Sequence, residues 1–293
     1  MSEPLFPQLI DGLKSGQVIP YIGPLALKGS VHKETGAPIP ADSDSLILAM
    51  NNGQPMAPKL MYEFPRAAMN QELKKGRSFV TRFLTELYGN DNWTRAPLHD
   101  WLAELKPKYV IDINRDTMLQ TSYSDTPHYL LVGLARIGGT DYRFKIFHYD
   151  GSSYNEVDQE AVDPALPVLF KPMGSPIPES HYIASDADYV DYITELMGGF
   201  GVPAFLKEYR KEKQYLFMGM RFNRDTERMV MSDIVYGAAE PKGWALIPEP
   251  TRKELRFCGK MGIEIIEADV NALLSAADWP VVEDSVAAAQ VGC

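Results

Sequence analysis

The sequence predicts an α/β fold: a parallel sheet with helices on both faces and a small, mostly helical insertion after the first strand. Two observations carry this prediction. Short apolar runs alternate with segments of helical period along nearly the whole chain, which is the pattern of βαβ units. Several of those runs end directly in glycine or in a small polar turn, as strands of a parallel sheet do at a ligand-binding edge.

The elements follow in order. Leu5, Leu9, Ile10 and Leu13 have helical spacing, and Gly16 closes that helix. Val18 to Ile22 reads as a buried strand ended by Gly23-Pro24. Residues 28–60 are rich in Gly, Pro, Asp, Ser and Asn and read mainly as loop, with a short helix near Ser45 to Asn51. Helical patterns at Ser78 to Tyr88 and Pro97 to Leu105 make 30–100 a helical and loop insertion. Tyr109 to Ile113 is a second strand followed by Asn114-Arg115-Asp116, and Tyr142 to His148 and Leu166 to Phe170 are strand-like. Helices at Ala187 to Met197, Ala204 to Arg210, Thr226 to Tyr236 and Thr251 to Lys260 alternate with strands at Tyr215 to Met218, Trp244 to Ile247 and Ile263 to Ile266. Residues 1–279 are expected to form one α/β domain, and 280–293 a peripheral tail with Cys293 as a free thiol.

Composition sets the class. The chain has 293 residues, 45% hydrophobic and 11% aromatic, enough for a sizeable core. Its formal net charge of -10 repels phosphate backbones and anionic membranes, so neither a nucleic acid nor a membrane is the expected partner. The first residues lack the basic and apolar regions of a secretory signal, no apolar run spans a bilayer, and two cysteines cannot build a disulfide framework. A cytoplasmic protein is expected. Cys258 reads as a small core residue. The run Lys207 to Lys213 alternates in charge and reads as a solvated helix end. The thirteen methionines, Met218, Met220, Met229 and Met231 among them, read mostly as core fillers, and an exposed subset would make an adaptable protein-binding surface.

Chemistry is expected beyond the carboxyl ends of the strands, at Gly23-Pro24, Asn114 to Asp116, Gly174-Ser175 and Gly219 to Asp225. Pro97 to Leu105 with Tyr109 to Asp116 resembles the sirtuin-like family, in which a helix leads into a strand ending in a Thr-Asn-Tyr-Asp-type turn. Asn114 and Asp116 match its Asn and Asp. Val168 to Ser175 is similar to the family's strand ending in Lys-Leu-His-Gly-Ser, Asp186 to Tyr189 to its following Asp-Tyr, and Leu216 to Gly219 with Asp225 to its Leu-Phe-Leu-Gly-Tyr-Ser and nearby Asp. The resemblance runs in order from Leu9 to Leu274. It implies a Rossmann-like fold with NAD or ADP-ribose held by Gly23, Asn114, Asp116, Gly174, Ser175, Gly219 and Asp225.

The departures from the family are as informative as the matches. Met173 stands where the family has its catalytic histidine, and a thioether takes no proton at neutral pH. Where the family's first loop reads Gly-Ala-Gly-Ile-Ser, this chain has Gly23-Pro24-Leu25-Ala26-Leu27; Pro24 removes a donor and Leu25 puts a branched side chain where the family has glycine. Catalytic candidates reduce to Asn114, Asp116 and His148, a strand-end histidine near carboxylates. His99 reads as a helix-start residue, His128 as capping or packing, and His32 and His181 as loop residues. No His/Cys/Asp/Glu spacing reads as a metal site, and no metal is expected. Two readings follow. In the first, the chain is a catalytically degenerate sirtuin-like scaffold, with room for a vestigial nucleotide pocket, acting as a binding or accessory factor for a protein partner through the 30–100 insertion or the methionine-rich strand ends. In the second, it is an NAD-consuming enzyme, an NAD hydrolase or an ADP-ribosyl-type transferase. The losses around one cleft favour the first.

Overall fold

A computed structural model describes residues 5–281. The expectations for the tail beyond Val281, Cys293 included, lie outside the described residues.

Helix α1 (Leu5–Ser15) buries Phe6, Leu9, Ile10 and Leu13 and leads into β1 (Val18–Ile22), which is buried throughout. A single 3-10 turn, Pro24–Leu27, follows. Then come α2 (Ser43–Met50), capped by the Asp42 carboxylate, α3 (Phe64–Lys75), α4 (Arg77–Tyr88) and α5 (Pro97–Leu105). Strand β2 (Tyr109–Asp112) passes through the short α6 (Met118–Ser122) to β3 (His128–Gly133), β4 (Phe144–Tyr149) and β5 (Tyr154–Val157). Strand β6 (Val168–Lys171) is followed by a small hairpin of β7 (Gly174–Ser175) and β8 (His181–Tyr182). The remainder alternates: α7 (Asp186–Met197), α8 (Ala204–Tyr209), β9 (Gln214–Met218), α9 (Asp225–Ile234), β10 (Gly243–Leu246), α10 (Arg252–Met261), β11 (Ile263–Ile266) and α11 (Val270–Ala276).

Nine strands form one sheet in the order β11-β10-β9-β1-β2-β6-β3-β4-β5. Its seven strands from β11 to β3 are parallel. The expectation of a parallel sheet is corrected at one edge, where β4 runs antiparallel to β3 and β5 antiparallel to β4. A short polar connection between β3 and β4 permits only a hairpin, because a parallel return needs a crossover of a dozen or more residues.

Both faces of the sheet are covered. Tyr21, Ile111, Leu131, Phe170 and Phe217 pack against α7, α8, α9 and α10, with Cys258 in the same cluster. Alternate residues such as Ile22, Val110, Leu130 and Leu169 pack against α1, α5 and α11. A third cluster joins α2, α3 and α4 between Leu46, Phe64, Ala68 and Leu84. Helix α3 buries Phe64, Pro65, Ala67, Ala68 and Gln71.

Chain order reverses between β1 and β9: the chain builds outward from β1 through β2, then returns to lay β9 on the other side of β1. Such a switch point opens a crevice at the carboxyl ends of the two strands. Among the described residues no helix is long and apolar enough to cross a membrane.

The start of α10 is a capping box, with the Glu254 amide donating to Thr251 Oγ1 at 3.3 Å and the Thr251 amide to Glu254 Oε2 at 2.8 Å. Thr251→Ala removes half of it and should cost about 1 kcal/mol, read as a small downward shift of the urea midpoint with an unchanged slope.

Candidate functional site

Four neighbouring strands, β9, β1, β2 and β6, bring their carboxyl ends to one crest. There Gly219, Gly23, Asn114 and Met173 succeed one another.

Beneath the crest lies a buried ion pair. Lys171 Nζ donates to Asp112 Oδ2 at 2.7 Å, and both side chains are wholly excluded from solvent. The other oxygen, Asp112 Oδ1, accepts from the Asn114 amide and from Asn114 Nδ2, both at 2.9 Å. Asn114 Nδ2 reaches on to the Gly23 carbonyl at 3.1 Å. Asn114 is therefore a brace between the ends of β2 and β1.

The first loop is engaged with β9. The Gly23 amide donates to the Met218 carbonyl at 2.8 Å, the Leu25 amide to the Gly219 carbonyl at 3.0 Å, and the Ala26 amide to the Gly23 carbonyl at 3.1 Å. Pro24 has no amide hydrogen. A Cβ on Gly23 would lie 2.4 Å from Met220 Sδ and 2.7 Å from the Gly219 carbonyl oxygen. Gly219 has φ +73°, and a Cβ there would meet the Ala26 amide nitrogen at 2.3 Å. Both glycines admit the facing backbone of the protein itself. A pyrophosphate would need those amides pointing at it, so the residues present do not fit the phosphates of a dinucleotide.

Above the brace, the cleft is about 40 Å³ and is lined by Tyr21, Glu63, Phe64, Asn114, Arg115 and Met173, with α9 along one side. That is room for about three waters, against roughly 300–1,000 Å³ for a ligand pocket. Met173 Sδ accepts from the Tyr189 hydroxyl at 3.1 Å. The Arg115 guanidinium lies 5.5 Å from the centre of the Phe64 ring and donates to the Ile183 carbonyl at 2.5 Å. The sequence-based expectation that Leu25 fills this space is corrected: its side chain turns outward and is 41% exposed, bordering an adjoining hollow of about 190 Å³. Phe64, from the insertion, takes the place assigned to Leu25. Leu27 is buried in the cluster formed by the insertion helices.

Two carboxyl groups at the cleft escaped the sequence reading. Glu227 on α9 is raised to about 7, first by desolvation and then by Glu63, against the pull of Arg224. Glu63 is also raised by desolvation, although its Oε1 accepts from the Asp225 amide at 2.8 Å. Nothing in their spacing along the chain signals this meeting, since 162 positions separate Glu63 from Asp225.

The remaining sequence candidates scatter. Register removes His148: it pairs with Tyr129, which pairs with Val168 at the start of β6, so it sits at the amino edge of the sheet. Its strand is also three places from β2, roughly 14 Å away. Gly174 and Ser175 are engaged in the hairpin, where Ser175 Oγ accepts from Gln120 Nε2 at 2.9 Å. Asp225 starts α9 and pairs with Arg228 at the surface. Asp116 is buried, with Oδ1 accepting from the Met118 amide at 2.8 Å and Oδ2 without a partner. Among the singled-out methionines, Met218, Met220 and Met231 are buried and Met229 is half exposed. His128 Nδ1 donates to the Thr126 carbonyl at 2.7 Å and Nε2 accepts from the Tyr154 hydroxyl at 2.8 Å, and burial holds the ring down at about 4.

A family model described as "SIR2-like domain" matches residues 108–266, which is more than half of the chain. The chain belongs to this family. The SIR2-like match covers β2 to β11 and with them Asn114, Met173 and Gly219. A solved structure described as "Structural Basis for the Mechanism and Regulation of Sir2 Enzymes" is similar at 11% identity, over 95% of this chain and 98% of that one, with a TM-score of 0.41. No curated protein matches the chain.

Two outcomes follow for this SIR2-like crest. Lys171→Met leaves Asp112 as a buried unpaired carboxylate and should cost about 3–5 kcal/mol in urea unfolding, whereas Lys171→Met with Asp112→Leu should recover most of that loss. A carboxyl raised in the folded state favours folding at low pH and loses that contribution as pH rises from its unfolded value of 4.5 through about 7. Between those limits wild-type Tm should fall relative to Glu227→Gln; parallel Tm profiles would remove Glu227 from this role.

Proposed function

We propose that this SIR2-like chain is a non-catalytic scaffold that serves as an accessory factor for a protein partner. One observation carries the proposal: the amides of the first loop, Gly23, Leu25 and Ala26, already donate to protein carbonyls, two of them on the end of β9 and its turn. The closed crest leaves no cradle for the phosphates of NAD or ADP-ribose. Met173, bonded by Tyr189, supplies no base.

A surface for the partner lies on the helical face. Helix α3 packs on α7 and α7 on α9, and their exposed residues include Leu73, Val190, Met197 and Met229. Exposed apolar side chains on these three neighbouring helices support protein binding. The buried strand-end methionines do not contribute to it.

The reading as an NAD-consuming enzyme is favoured by one group, Glu227, a cleft carboxyl titrating at about 7 and so placed to exchange a proton near neutrality. The same experiment separates the two. Incubation with NAD should release no nicotinamide, and NAD or ADP-ribose should leave Tm unchanged. A ligand present at 100 times its dissociation constant would stabilise by about 2.7 kcal/mol. Nicotinamide release that is lost in Glu227→Gln would overturn the scaffold reading. In the native cell extract, Val190→Glu with Leu73→Glu should lose a partner that wild type retains in fixed ratio, at unchanged Tm.

A further inference from the structure

Beneath the crest, on the face of the sheet that carries α5, Asp112 meets two side chains that the proposed scaffold role does not use, His99 and Asp116. His99, the third residue of α5, is completely buried, and neither of its ring nitrogens has a hydrogen-bond partner. Asp112 at the end of β2 and Asp116 in the turn beyond it are buried as well. One donor atom from each of the three lies within 4.8 Å of the other two.

Both vacant positions on the ring need explanation, since buried polar groups are almost always bonded. Asp116 Oδ2 is likewise unpartnered, while Oδ1 is held by the Met118 amide. Charge points the same way. Among the described residues Lys171 pairs with Asp112, and no ammonium or guanidinium pairs with Asp116. A divalent cation would engage a ring nitrogen of His99 and the free oxygen of Asp116 together.

We infer that His99, Asp112 and Asp116 form a structural site for a divalent first-row transition metal, with zinc as its reference ion. The donor set selects the class. One imidazole nitrogen with carboxylate oxygens suits zinc and its neighbours, whereas magnesium and calcium take oxygen ligands. Ligands on zinc stand about 2.0–2.2 Å from the ion, so the three donor atoms, now within 4.8 Å of one another, would draw closer on binding it. Asp112 keeps a lone pair on Oδ2 beside Lys171, and its Oδ1 remains with Asn114. The bound ion would clamp the first turn of α5 to the two sides of the Asn114 turn. It is a stabilising site, closed by burial, beside a cavity of about 20 Å³ that Asp116, Thr117 and Met118 line.

The test uses full-length protein from cells grown with added zinc, dialysed against metal-free buffer. Elemental analysis should find one equivalent of transition metal per chain. The metal-stripped protein should rise in Tm by several degrees with zinc and not with magnesium. His99→Gln and Asp116→Asn should each lose the metal and the zinc response, while His181→Gln, outside the cluster, keeps both. Wild type that folds with metal at the blank level and shows no Tm response to zinc overturns the site. So does retention of a full equivalent in both variants. Should the variants be insoluble, wild type loaded with cobalt decides: a band of nitrogen- and oxygen-ligated cobalt upholds the site, and the spectrum of free aqueous cobalt overturns it.

Discussion

The Lys171–Asp112 pair holds the working edge of this molecule. Taking two charges wholly out of water costs several kcal/mol per ion, and attraction repays it only when geometry is good and the remaining lone pairs are satisfied. Here they are: Nζ and Oδ2 stand 2.7 Å apart, and the Asn114 side chain and amide occupy the second oxygen. The pair fixes β6 against β2, Asn114 carries the connection to Gly23 on β1, and the amide of Gly23 carries it to Met218 on β9. Four strand ends are thereby tied into one polar network. Removing any member would strand a buried partner, which explains why so many polar groups are gathered where a core would otherwise be apolar.

From that network follows the closed state of the crest. A switch point is a binding site only when its backbone donors are left for a ligand. Here the facing strand takes them, and Gly23 and Gly219 serve the close approach of two stretches of backbone. The space that remains is occupied from the side. Phe64 lies on Arg115, and Tyr189 bonds Met173, so the insertion and α7 both reach into the cleft. Glu63 and Glu227 meet there at the cost of desolvation, each raised as a result.

Much of this architecture was legible in the sequence because it is local. Apolar runs such as Tyr215 to Met218 announce central parallel strands, and glycine or Asn-Arg-Asp announces their ends. The ordering of four turns along one crest followed from strand alternation. What the sequence did not show depends on pairing. The antiparallel turn at β4 reversed the direction of that strand and carried His148 to the far edge of the sheet. Strand β3 is a continuous apolar run whose period does not separate strand from helix. Phe64 comes from the insertion, and only the tertiary fold sets it beside Arg115. His99 lies 13 positions before Asp112, on a different element, so no spacing rule for metal ligands reaches it.

The identity of one side chain is a weak guide to whether a SIR2-like crest can work. Met173 removes a base, and that loss alone would leave a binding site with diminished chemistry. The closure by β9 is a separate change, because backbone amides bonded to backbone carbonyls cannot be restored by exchanging a side chain at Met173. The seating of Phe64 is a third, drawn from an element outside the residues that match the family. Each is held by different contacts: the Tyr189 hydroxyl on Met173, the carbonyls of Met218 and Gly219 on the first loop, and Arg115 beside Phe64. Lys171 bonds Asp112, Asp112 bonds Asn114 and Asn114 bonds Gly23, so the crest is tied together by the protein's own groups.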